Sequence, residues 1–398
     1  MLYATHAEVD LSAIRANIEG IREQVGDRTI LVAVKADAYG HGAVAVSRMI
    51  QATGVADWLG IATVPEALEL RAAGITMPIL KLSHCFPGAE MEAAIAADVV
   101  TACPSRECAD ALQAAAEQVG RPARVHLKVD TGMARIGVPA GEAAALAAYV
   151  EGLGSVSLEG IFTHMPVADT ASQDAFTEDQ VALFARTVEE VQATLGRPLE
   201  HVHAANSGGV LGHSSSWLTL VRPGIMVYGY YPDASTPRTI ALRQAIRWVT
   251  RVSFVKRVPA GTTVGYGRTW TSEEDRWIAT LPIGYADGYN RLLSNRGRVL
   301  VGGRSHPIAG RVCMDQTMID VGPASEPCPV SVGDEVVLLG RSGEEVITTD
   351  EMAELLDTIS YEVTCSIGRR VERVHLDGWA QAAAGSHPPV EVADGSPC

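Results

Sequence analysis

At 398 residues the chain is long enough for two domains, or for one large barrel with an appendage. Its formal charge of −15, with no run of clustered lysine and arginine, argues against a nucleic-acid partner and against an anionic membrane surface. Seven cysteines at 85, 103, 108, 313, 328, 365 and 398 show neither a C-x-x-C pair nor the spacing of a zinc site, so reduced and mostly buried thiols and no metal are expected.

The opening residues, MLYATHAEVDLSAIRANI, lack the basic and apolar stretches of a signal peptide, and a cytoplasmic protein without a membrane span is expected. From residue 28 to about 230, short β-branched runs alternate with alanine- and leucine-rich stretches of helical period. The runs are TILVAVK (29–35), WLGIATV (58–64), MPILKLS (77–83), DVVTACP (98–104), RVHLKVD (124–130), LEGIFTH (158–164), HVHAANS (201–207) and LTLVRPGI (218–225). Candidate helices lie between them, among them AVAVSRMIQATG, SRECADALQAAAEQVG and EDQVALFARTVEEVQATLG. Eight strands, most followed by a helix, predict an α/β fold: a (β/α)8 barrel over 1–238. An open doubly wound sheet would usually show a Gly-rich dinucleotide turn after its first strand, and none is visible. Beyond about residue 240, strand-like pieces separated by Gly and Pro predict a mainly β domain over 239–378, with one helix, DEMAELLDTI. The last residues, 379–398, rich in Ala, Pro, Gly and Ser, are expected to be disordered.

In such a barrel the chemistry sits where strands end. Lys35 and Tyr39 follow the first run, Lys128 and Arg135 the fifth, His164 the sixth, Asn206 and Ser207 the seventh, and Arg222 and Gly224 the eighth. The chain has only four lysines, at 35, 81, 128 and 256, so a lysine at the end of an apolar run calls for a reason. Desolvation there lowers an amine's pKa and makes it a competent nucleophile, whereas an isolated lysine would simply reach out to solvent. The loops HAANSGG and RPGI offer a hydroxyl and free backbone N–H groups where barrels often bind phosphate, although such loop residues are common in themselves. An aldehyde for the lysine and a phosphate for the loops together suggest pyridoxal 5′-phosphate.

The ordered pieces AVKADAYGHG, HLKVDTGMARIG, FTHMPVAD, HAANSGG, VRPGIMVYG, GYGRTW, PIGYADGYNR, GRVCMDQTMID and TISYEVTCSIGRRV resemble the alanine racemases, from about Ala7 to His375. The resemblance implies a pyridoxal-phosphate enzyme that interconverts L- and D-alanine, in which Lys35 links to the cofactor and acts as one base. Tyr266, reaching in from the second subunit of a homodimer, would be the other base. His164 and Arg222 would support the tyrosine, and Arg222 would face the pyridine nitrogen. Arg135 would bind the cofactor's phenolic oxygen and the substrate, held by Lys128, in relatives often a carbamate. Tyr39, Asn206, Ser207, Gly224, Ile225 and Tyr361 would hold the cofactor and its phosphate, while Met314 and Tyr285 would meet the substrate.

The mouth segments KLSHCFPG and MPVADTASQ depart from the family pattern, which leaves serine or another small amino acid as an alternative substrate. A non-catalytic pyridoxal-phosphate carrier with this barrel would lack the second domain. A barrel decarboxylase would place a carboxylate where VRPGI puts Arg222, and a zinc-assisted aldolase or dehydratase would need a His/Cys pair that Cys365 and His375 do not form. A purely structural barrel would leave the clustered cations unpaired for no gain.

Overall fold

The computed structural model describes residues 2–376, so the 379–398 tail and Cys398 lie outside it. Eight strands run parallel in the sheet order β10-β2-β3-β4-β5-β6-β8-β9: β2 (Thr29–Ala33), β3 (Trp58–Ile61), β4 (Ile79–Lys81), β5 (Val99–Cys103), β6 (Ala123–Asp130), β8 (Val156–Phe162), β9 (His201–His203) and β10 (Leu220–Val221). A two-residue strand, β7 (Val138–Pro139), pairs beside β6. The ring is drawn shut between β9 and β10 by Thr219 N–H to the Val202 carbonyl (3.1 Å) and Arg222 N–H to the Ala205 carbonyl (2.9 Å). Strands such as β5 are buried at every position, as expected when helices cover one face and barrel core fills the other.

Each of the eight expected runs overlaps a barrel strand. Six strands are shorter than their runs, whereas β6 starts one residue before its run and β8 is shifted two residues earlier. The helices expected over 43–54, 105–120 and 178–196 appear as Ala43–Thr53, Arg106–Val119 and Asp174–Leu195, each closed by a glycine in left-handed conformation beyond its last residue.

The chain's first strand, β1 (His6–Asp10), falls within 1–238 by number but is not a barrel strand. It pairs antiparallel with Ile246–Arg251 and parallel with Glu372–Leu376, in a sheet of the second unit. The cause is its short alternation, which buries Ala7 and Val9 and leaves the other side to polar residues, a pattern suited to an antiparallel sheet rather than a barrel wall. Asp10 then caps helix Leu11–Val25 through its carboxylate, which accepts from Ser12 and Ala13 N–H. The second unit also holds an antiparallel three-stranded sheet of Phe254–Val258, Arg276–Leu281 and Thr317–Pro323. Near the end stand two helices rather than one, Thr349–Leu356 and the short Ser360–Cys365.

The thiols are less uniformly buried than their sequence context suggests. Cys85, Cys103 and Cys108 are buried, Cys313 and Cys328 are intermediate, and Cys365 is exposed; all six are free. Among the described residues no helix is long and apolar enough to cross a membrane, and no three His, Cys, Asp or Glu side chains gather as metal ligands.

Candidate active site

The chain leaves β2 through a turn of unusual backbone. Ala36, Asp37, Ala38 and Tyr39 all have φ between 53° and 55°, a left-handed turn without glycine. It sets Lys35 and Tyr39 on the wall of one cavity of about 160 Å³ at the C-terminal mouth of the barrel. Lys128, Arg135, His164, Asn206, Ser207, Arg222, Gly224, Ile225 and Tyr361 line the same space, joined by Ala33, Leu82 and Phe162.

Each wall group is held by an identifiable partner. Tyr39 packs against Tyr228 (ring centroids 5.1 Å) and Tyr361 (6.0 Å), and the Tyr228 hydroxyl donates to the Ala33 carbonyl (2.8 Å). Ser207 Oγ accepts from Gly224 N–H (2.9 Å), which leaves its own proton to donate. A Cβ on Gly224 would lie 2.6 Å from the Tyr39 hydroxyl oxygen, so only glycine permits this close approach. The Asn206 side chain bridges segments, donating to the Met165 carbonyl (3.0 Å) and accepting from Gly209 N–H (3.0 Å).

Arg222 is buried, and among the described residues it has no carboxylate partner. Its guanidinium donates to the carbonyls of Thr163 (2.8 Å) and Ala204 (2.9 Å) and to His203 Nδ1 (2.8 Å), with a longer contact to His164 Nδ1 (3.4 Å). Because arginine can only donate, His203 Nδ1 must be bare and its proton sits on Nε2. That proton then points at His126 Nδ1, 2.9 Å away, which fixes the second imidazole as the Nε2–H tautomer too. Burial holds His126, His164 and His203 well below the usual histidine range, and neighbouring cations add to this. The arginine is thus held by neutral acceptors, and burial lowers its own pKa to about 9.

Lys128 is buried, donates to the Val129 carbonyl (2.8 Å) and lies 5.3 Å from the Phe162 ring centre. Burial first, then Arg222, lower its amine to about 8. Burial also lowers Lys35, with a contribution from Arg135, while Cys365 and Glu66 oppose the shift. Burial raises the hydroxyls of Tyr39 and Tyr361, which keeps both as neutral donors.

Among the described residues, the cavity wall therefore carries Lys35, Lys128, Arg135 and Arg222 and no carboxylate. Four cations at one mouth call for an anion. This donor set fits pyridoxal 5′-phosphate: an amine of lowered pKa for its aldehyde, hydroxyl donors at Ser207 and Tyr39 beside the close backbone approach at Gly224 for its phosphate, and Arg222 for its ring.

Three expected residues stand elsewhere. Tyr266, Tyr285 and Met314 are 73%, 42% and 53% exposed on the second unit, and none lines this cavity. Tyr285 and Met314 are brought side by side, since Tyr285 N–H bonds the Cys313 carbonyl (3.0 Å) and Ala286 N–H the Met314 carbonyl (3.1 Å). Sequence reasoning did not find Leu82, Phe162 or the His203–His126 pair. Phe162 sits one strand position before Thr163 and stacks on His203 at 4.8 Å, a contact that only the closed barrel reveals. Lys81 is a buried structural lysine that bonds Ser83 and the His84 carbonyl and pairs with Glu90 (3.5 Å).

Comparison with known proteins agrees with this geometry. Residues 9–232 match the family model "Alanine racemase, N-terminal domain" and residues 245–375 match "Alanine racemase, C-terminal domain". The chain belongs to the alanine racemase family. A relative from Cutibacterium acnes, named alanine racemase, is 48% identical over 93% of this chain and 97% of its own. Another from Symbiobacterium thermophilum, with the same name, is 44% identical over 93% and 97%. Among solved structures, the alanine racemase from a D-cycloserine-producing Streptomyces lavendulae superposes with a TM-score of 0.88 at 36% identity, covering 96% of this chain and 99% of that one. The Bacillus anthracis alanine racemase solved with bound L-Ala-P gives 0.87 at 35% identity, covering 95% and 96%. The alanine racemase fold, a barrel followed by a strand-rich domain, is the fold described above.

Proposed function

We propose that this chain is a cytoplasmic, pyridoxal-phosphate-dependent racemase that interconverts L- and D-alanine as a homodimer with shared active sites. The observation that carries the reading is the wall of Lys35, Lys128, Arg135 and Arg222 without a carboxylate, built around an amine of lowered pKa. Bound pyridoxal 5′-phosphate supplies the electron-withdrawing ring that makes the substrate's α C–H acidic.

The residues of the chain do the rest. Racemisation needs a base on each face of the α-carbon, because a single base would tend to return the proton to the face it left. Nζ of Lys35 takes or gives the proton on one face. The phenolic oxygen of Tyr266 of the partner subunit serves the other, which gives an exposed tyrosine its use. His164 and Arg222 support that phenol, and Tyr39, Asn206, Ser207, Gly224, Ile225 and Tyr361 hold the cofactor. Arg222 would be the residue beside the ring, and because it does not readily give up a full proton even with its pKa lowered to about 9, it would leave the ring a weaker electron sink than a carboxylate would. That would restrain competing transamination and decarboxylation. Arg135 would help hold the cofactor and the substrate, and a carbamate on Lys128 would steady it. Met314 and Tyr285 of the partner subunit close on the substrate from the other side.

Chiral chromatography of the protein with pyridoxal phosphate and, separately, L-alanine, L-serine and larger amino acids tests the reading. Interconversion fastest with alanine is expected. Faster turnover of serine would keep the mechanism and change the substrate, while bound cofactor without turnover would leave a carrier.

A further inference from the structure

We propose that Glu66 is a positioning residue for Lys35, clamping the left-handed turn on which the lysine stands; this rests on the reading of Lys35 as the reactive amine. Four consecutive residues with a Cβ, Ala36 to Tyr39, occupy left-handed backbone. That conformation is disfavoured for each of them, and such a run persists only where its surroundings over-determine it.

The far end of the turn is well tied. Asp37 Oδ1 accepts from Ala43 N–H (2.7 Å), His41 Nδ1 donates to the carbonyls of Ala38 and Tyr39 (both 3.0 Å), and Arg373 Nε donates to the Gly40 carbonyl (3.0 Å). At the Lys35 end the side-chain tie is Glu66, whose Oε1 accepts from Ala36 N–H at 2.7 Å. Glu66 stands in the first turn of helix Val64–Ala72, and its Oε2 accepts from Ala62 (2.8 Å) and Thr63 (2.9 Å) N–H, as a helix-capping carboxylate does. Capping needs only that oxygen. The other crosses to a residue thirty positions earlier in the chain, so one carboxylate ties the exit of β2 to the exit of β3.

Glu66 does not line the cavity and acts on the amine through backbone and charge. The groups around the Lys35 amine are Arg135, Cys365, Glu66 and His164, with the Tyr39 ring centre 5.9 Å away. Of the two groups that favour the protonated lysine, Glu66 is the one bonded to the adjoining peptide.

The test uses the full chain with Glu66→Gln, and Glu69→Gln on the exposed side of the same helix as control. Glutamine keeps the size but removes the charge, and its amide nitrogen cannot accept from an N–H. After removal of the cofactor with hydroxylamine, reductive methylation of Lys35 is followed by peptide mass spectrometry as a function of pH, a clean readout in a chain with four lysines. In Glu66→Gln the labelling midpoint is expected to move to lower pH, and kcat to fall about tenfold with KM within about twofold. Glu69→Gln is expected to change neither. A wild-type labelling profile and kcat in Glu66→Gln would overturn the clamp, as would an equal loss in both variants. If Glu66→Gln fails to fold, Glu66→Asp replaces it: this keeps the charge but shortens the reach, so faster hydrogen exchange at the Ala36 amide supports the clamp and unchanged exchange refutes it. Absence of racemisation by the unaltered chain would refute the proposed function, and the labelling profile would still decide the role of Glu66.

Discussion

Lys128 shows how a buried cation prepares its own modification. Its amine, lowered to about 8, has the Val129 carbonyl as its one hydrogen-bond acceptor among the described residues and faces Arg222 and Arg135, with Asp130 opposing them. Carbon dioxide adds to the neutral amine alone, so occupancy of a carbamate is expected to rise as pH climbs through about 8. The product carboxylate would turn repulsion toward Arg135 into attraction. Carbon-13 NMR in labelled bicarbonate should show a carbamate resonance that grows with pH and is absent from Lys128→Ala. No such resonance would mean that Lys128 stays an amine. His41 gives the opposite lesson. It is fully buried against Tyr228 (4.5 Å), and burial lowers its pKa to about 4. The unfolded chain binds that proton first, so stability is fully present above about pH 6.5 and declines as pH falls toward 4. The loss attributable to His41 is of the order of 3 kcal/mol. Denaturant unfolding across this range should show the decline, to which the buried His126, His164 and His203 also contribute, and His41→Asn should lessen it by about 3 kcal/mol; an unchanged slope would assign the proton uptake to those other histidines.

Among the elements, the strand exits were the most legible part of the chain. Parallel strands buried on both faces read as unbroken apolar runs, and the polar residue ending each run marks the barrel mouth, which is how Lys35, Lys128, His164 and Arg222 stood out. The left-handed turn after β2 did not stand out, because Ala-Asp-Ala-Tyr contains none of the glycines that usually announce positive φ. Nor did the pairing of His126 with His203, which joins residues 77 apart and exists only once the barrel closes. The strand β1 was hidden for a related reason, since its partners lie near residue 246 and residue 372. Gly224, by contrast, is a sequence signal whose meaning needed the structure. Its substitution by alanine would drive a Cβ to within 2.6 Å of the Tyr39 hydroxyl oxygen, so either the tyrosine or the β10 exit must move. Gly224→Ala is expected to weaken pyridoxal-phosphate binding by at least about tenfold, with the fold retained. Titration by quenching of intrinsic fluorescence measures this, and unchanged affinity would remove Gly224 from the cofactor's cradle.

For the whole molecule, the decisive arrangement is that one chain holds Lys35 in its cavity while Tyr266, Tyr285 and Met314 stand exposed on its second unit. If two copies complete each other's sites, a dimer has two sites, each with Lys35 from one subunit and Tyr266 from the other. A Lys35→Ala dimer then lacks the lysine at both sites, and a Tyr266→Phe dimer lacks the phenol at both. A hybrid of the two concentrates both defects in one site and leaves the other intact. Random re-pairing of equal amounts makes half the dimers hybrid, so about a quarter of all sites should be whole. Racemisation by the re-paired mixture should therefore reach about a quarter of the wild-type rate, measured in both directions by chiral chromatography, when Lys35→Ala alone is inactive and Tyr266→Phe alone is impaired. A mixture no more active than the mean of its parents would mean that each chain uses its own tyrosine, or none, and the homodimer would lose its catalytic reason.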